Sequence, residues 1–74
     1  MRRLEYTKPE IEEILAVVNF VDLEEPVFLG KWKRKTTKEL AFELKKSEAT
    51  INRTLDIALL KVKDAYDKKK IKFW

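Results

Sequence analysis

Seventy-four residues with a formal net charge of +4 are enough for one small domain and leave no room for a second. The absence of cysteine and histidine removes disulfides, thiolate metal sites, thiol catalysis, the usual proton shuttle near pH 7 and the commonest nitrogen ligand for metals. The single glycine, Gly30, cannot build a phosphate-cradling loop of the Walker or dinucleotide type. The expectation is a protein that is not an enzyme and carries no cofactor and no metal.

The pattern reads helical throughout. Thr7-Lys8-Pro9-Glu10 is a capping box with Thr7 as N-cap, and Tyr6 and Ile11 stand at the spacing of a hydrophobic staple. Ile11, Ile14, Leu15 and Val18 then share one face, and this first helix is expected to end near residues 19–21. Asp22 is the expected cap of a second, shorter helix with Glu24 and Glu25 in its first turn. Gly30 and Lys31 mark its exit, and residues 31–35 read as a basic loop around Trp32, itself a cap over a small core.

Thr36-Thr37-Lys38-Glu39 is a second capping box. It opens a two-turn helix whose buried side is Leu40, Ala41 and Leu44. Lys45 and Lys46 interrupt the apolar pattern, and Ser47 caps the longest segment. There Ile51, Leu55, Ala58, Leu59, Val62, Ala65 and Tyr66 recur at helical spacing, with no proline or glycine before Lys70. Phe73 and Trp74 end the sequence, and such terminal aromatics either fold back or meet a partner.

Charge is segregated along the chain. Residues 10–26 hold six acids and no base, residues 31–46 hold seven bases against Glu39 and Glu43, and residues 61–74 hold six lysines against Asp64 and Asp67. Two basic stretches beside an acidic front attract polyanions more than +4 implies. The lysines of the last stretch read as a solubilising face. The adjacent acids Glu12/Glu13 and Glu24/Glu25 point about 100° apart on a helix, so they do not converge on one substrate. No secretory signal is visible, and the longest apolar run, residues 14–18, is far short of a membrane span. A cytoplasmic protein without membrane association is expected.

The informative constellation is the sharp bend between the third and fourth helices. The fourth opens with small polar residues and continues with Asn52 and Arg53, whose forked side chains match adenine and guanine edges. The bases Lys33, Arg34, Lys35 and Lys38, the turn lysines Lys45 and Lys46, and the capped amides near Thr36 and Thr37 suit phosphates. On a solvated helix face, Asn52 and Arg53 would instead simply be wet.

The run Thr37-Lys38-Glu39-Leu40-Ala41, then Leu44, then residues 47–55 and Ala58-Leu59-Leu60-Lys61 resembles the helix-turn-helix of region 4 in bacterial sigma factors. Residues 22–28 resemble the helix leading into that motif. Residues 57–66 are similar to the phage ArpU-type late transcription regulators. The resemblance covers residues 22–67 and leaves the first helix unassigned. It departs from the family at Lys45, where a glycine is usual, and at Lys46, where an apolar residue is usual. A left-handed turn residue without glycine costs roughly 1 kcal/mol.

The pattern as a whole reads as an all-α domain of four helices, and the resemblance makes the long C-terminal one the recognition helix. Double-stranded DNA is the implied partner, with Ser47, Glu48, Ala49, Asn52 and Arg53 at the base-reading positions. One motif covers few base pairs, so a homodimer or a protein partner is expected. The acidic first helix or the aromatic tail would supply that contact. Two other functions fit the same residues: an adaptor engaging RNA polymerase or another factor, and the DNA-recognition subunit of a phage packaging machine.

Overall fold

Capping chemistry sets where the helices begin. In the computed structural model, which describes residues 5–72, all regular structure among the described residues is helical: α1 (Lys8–Val17), α2 (Glu24–Trp32), α3 (Thr37–Leu44) and α4 (Glu48–Asp67). Thr7 N–H donates to Glu10 Oε1 at 2.8 Å and the Glu10 amide returns to Thr7 Oγ1 at 3.4 Å. The Thr36/Glu39 box is built the same way, with both bonds at 3.0 Å. Ser47 Oγ accepts from the Thr50 amide at 3.1 Å to open α4. Each box satisfies amide donors that a helix start otherwise leaves unpaired.

Two boundaries depart from expectation. Helix α1 stops at Val17, because Val18 turns extended and buries its side chain beside Ile11 and Ile14. The carbonyl of Asn19 is taken by Lys61 Nζ at 3.1 Å, and Phe20 stacks on Phe28 with ring centroids 5.1 Å apart. Asn19 and Phe20 are therefore held by non-local contacts that helical periodicity cannot report. Asp22 is not a cap: it sits at φ 51, and Leu23 occupies the cap position with no side-chain bond. The carboxylate of Glu24 takes over, accepting from the Val21 amide at 3.0 Å.

The expected exit at Gly30 and Lys31 is also corrected. Helix α2 runs through both to Trp32, so residues 31–35 are not one basic loop. Gly30 is buried where α2 meets α3, and a Cβ built on it would collide with Leu40 Cδ2. The glycine thus serves close helix approach within the helix instead of ending it. Trp32 Nε1 donates to the Tyr6 carbonyl at 2.7 Å, tying the end of α2 to the segment before α1.

The core has two parts joined by Leu59, which packs against both. One holds Ile11, Ile14 and Val18 from α1, Phe28 from α2, Ala58, Val62 and Ala65 from α4, and Ile71 from the segment after it. The other holds Val27, Leu40, Ile51 and Leu55. Helix α1 therefore packs on the C-terminal half of α4 and α3 on its N-terminal half. Tyr66, expected in the buried stripe, is 43% exposed; the apolar line through Val62 and Ala65 reaches Ile71 instead. Phe73 and Trp74 lie outside the described residues.

Three helices end on basic residues in the left-handed region: Arg34 (φ 68), Lys45 (φ 57) and Lys69 (φ 59). After α3, the Lys46 amide donates to the Ala41 carbonyl at 3.0 Å and the Lys45 amide to Phe42 at 3.4 Å. The same six-to-one and five-to-two bonds close α2 and α4, as in the Schellman motif that glycine usually fills. Glycine at each of the three positions is expected to stabilise the fold by about 0.5–1 kcal/mol, after the extra freedom of the unfolded chain is subtracted. The midpoint of urea unfolding measures this, and a triple variant should show the sum, since the sites share no contacts.

Candidate nucleic-acid interface

Left-handed Lys45 and the Ser47 cap turn the chain sharply between α3 and α4. Leu40, Ile51 and Leu55 pack beneath the bend, so α4 presents the opposite side of its first turns outward. Ser47, Glu48, Ala49, Asn52 and Arg53 are all exposed, and the intervening Ile51 is fully buried. None of the five candidate base-reading residues is tucked into the interior.

Asn52 and Arg53 face different neighbours. Lys31 Nζ donates to Thr37 Oγ1 at 2.8 Å, and Thr37 Oγ1 donates in turn to Asn52 Oδ1 at 3.3 Å. This short relay joins the end of α2, the start of α3 and the second turn of α4. Asn52 keeps its amide donors and one carbonyl lone pair for another partner. Arg53, about 100° further round the helix, makes no ion pair among the described residues. It stands between Ala49 and Asp56 on the outward side.

The candidate phosphate-contacting groups lie around the same end of the molecule. Lys33 and Arg34 are exposed in the turn after α2, Lys38 in the first turn of α3, and Lys45 and Lys46 in the bend. Lys35 is engaged with Glu43 at 2.7 Å, but both side chains are well exposed, so a competing anion releases it at little cost. Thr36 is committed to the capping box and Thr37 to the relay. Glu39 sits where an anion would approach the start of α3. Hydrogen bonds from the Thr36 amide and hydroxyl hold its carboxyl below the usual carboxylate range, against a small opposing effect of burial and aided by the Lys35 charge. The Thr37 and Lys38 amides, which the box leaves unused, are what remains for a phosphate.

Two features of this surface are not in the sequence reading. Lys31 belongs to the relay; the i,i+4 pairs Val27–Lys31 and Phe28–Trp32 would have carried α2 far enough to find it. Between residues 48 and 57 the acids Glu48 and Asp56 outnumber the single base Arg53, so positive charge flanks the exposed end of α4 without lying on it. Acidic α1 sits at the other end of α4, against residues 58–65. The lysines of residues 61–72 share that end, so the acids of α1 lie beside a second basic stretch.

Among the described residues no cluster of histidine, cysteine, aspartate or glutamate could hold a metal ion. No helix among them is long and apolar enough to cross a membrane. No family model, curated protein or solved structure matches the chain.

Proposed function

We propose that the chain is a small DNA-binding transcription regulator in which α3, the Lys45–Lys46 bend and α4 act as a helix-turn-helix of the sigma region 4 type. The observation that carries this reading is the convergence of three elements at one exposed end. The relay from Lys31 through Thr37 to Asn52 locks the second turn of α4 to the start of α3. Lys33, Arg34, Lys38, Lys45 and Lys46 surround it, and acidic α1 lies at the opposite end. In this reading the first two turns of α4 enter the major groove, the lysines and Arg34 hold phosphates, and Asn52 and Arg53 read bases.

The test is binding to random duplex DNA at several salt concentrations. Counterion release predicts a log–log slope of about −3.5 to −5.5 if four to six bases reach phosphate. Arg53→Ala should cost about 1–3 kcal/mol on a preferred site and much less on random DNA. No detectable binding at low salt overturns the reading. Equal losses on both DNAs would make Arg53 a phosphate contact.

One observation favours the adaptor function over direct DNA binding. Phe42 is 86% exposed on the outer side of α3, one turn from Lys38, Lys45 and Lys46, and α4 carries a net acid excess where it would meet bases. An exposed apolar side chain on a helix flanked by basic residues suits an acidic protein segment with an apolar anchor. Salt-dependent duplex binding by the wild type would reject an adaptor with little DNA affinity.

A further inference from the structure

Among the described residues, the outer side of α4 carries an apolar strip with no partner. Ile57 is 41% exposed and Leu60 65% exposed, on the side of α4 opposite Ala58 and Val62, which are fully buried. Arg53, Ile57, Leu60, Asp64 and Asp67 follow one another at spacings of four, three, four and three, which is the seam of a two-helix coiled contact. Arg53 has no ion pair among the described residues. Among the described residues Asp64 forms an ion pair only with the exposed Lys68, at 3.2 Å.

We infer that a second copy of this chain docks on this face, with the two α4 helices antiparallel about a twofold axis between Ile57 and Leu60. Charge selects both the occupant and the register. In the antiparallel pair, Ile57 faces Leu60 of the second copy and Arg53 faces Asp64 of the second copy. On one flank Asp56 faces Lys63 of the second copy. The twofold axis repeats each attraction, as an isologous contact requires. A parallel pair would set Arg53 against Arg53 and Asp64 against Asp64. Sliding the antiparallel pair to centre on Leu60 would set Asp56 against Asp64. Of these registers only the first joins the apolar pair and sets both Arg53 and Asp56 against opposite charges, with Asp67 left facing Thr50.

The exposed pairs Asp64–Lys68 and Lys63–Asp67, the latter at 3.0 Å, are of the weak i,i+4 kind and yield to the new partners at little cost. Docking covers Arg53 and Asp56, so the paired form withdraws the outward side of α4 from any other ligand. If the DNA reading above holds, self-association and duplex binding exclude one another. The self-association itself does not depend on that reading.

The decisive experiment therefore uses no DNA: sedimentation equilibrium of the full chain across about 10 µM to 1 mM. The wild type should move from 8.9 kDa toward twice that mass. Leu60→Glu should weaken association about tenfold or more with an unchanged circular dichroism spectrum, since Leu60 belongs to neither core cluster among the described residues. Arg53→Glu and Asp64→Lys should each weaken it, and the double charge swap should restore it. A wild type that stays monomeric at the highest concentration overturns the inference. So does a dimer that survives Leu60→Glu, or a swap that restores nothing. Because DNA is absent, none of these failures bears on DNA binding.

Discussion

Phe28→Ala is expected to remove about 3–5 kcal/mol, the usual cost of emptying a fully buried phenyl site. A chain of this length holds roughly 4–11 kcal/mol in all, so the loss takes between about a quarter and the whole of its stability. The size of the effect follows from what one ring joins. Phe28 has no exposed surface and lies 6.2 Å from the Tyr6 ring and 5.1 Å from the Phe20 ring, centroid to centroid. It shares its cluster with α1, the C-terminal half of α4 and Ile71. Helix α1 buries its apolar face only there, so it should lose hydrogen-exchange protection first. Ile51→Val, in the other cluster, should cost only about 0.5–1.5 kcal/mol and leave α1 protected. Urea unfolding followed by circular dichroism gives both midpoints. A Phe28→Ala midpoint close to wild type would mean that α1 is held by something other than this ring.

The contrast between these clusters also explains which features the sequence carried. Helix starts at Thr7, Thr36 and Ser47 were legible because capping is a three-residue transaction between neighbours. The left-handed bend at Lys45 was legible because the position stands where a glycine is usual and the apolar pattern breaks beside it. Helix α2 was misread at both ends for the opposite reason. Its start depends on Glu24, which reads locally as a first-turn acid but is buried by Lys61, a residue 37 positions away. Its exit was assigned to Gly30, whose small size instead serves contact with Leu40. Around the candidate interface, side-chain type was readable and partnership was not. Lys35 looked like a free cation yet pairs with Glu43, and Asn52 looked unencumbered yet accepts from Thr37.

The Glu24–Lys61 pair gives the second large effect. Lys61 Nζ lies 2.5 Å from Glu24 Oε1 and also donates to the Asn19 carbonyl, so one ammonium anchors the link between α1 and α2 to α4. Lys61→Met keeps most of the packing and strands the buried carboxylate with only the Val21 amide. The expected loss at pH 7 is about 2 kcal/mol, below the 3–5 of fully buried pairs because about a third of the Lys61 side chain remains in water. The pH dependence identifies the cause. Burial pushes the Glu24 carboxyl up, but the Lys61 hydrogen bond, the Val21 amide and the Lys61 charge together hold it below the usual range. In the wild type this contribution is complete above about pH 4.3, the unfolded value, and is lost as pH falls through the folded one. In Lys61→Met burial prevails, the folded value rises above the unfolded one, and protonation favours the fold. The wild-type and variant stabilities should therefore converge as the pH is lowered from 7 to about 3. Unfolding midpoints that fall in parallel over that range would show that Lys61 acts through packing, with its charge irrelevant to Glu24.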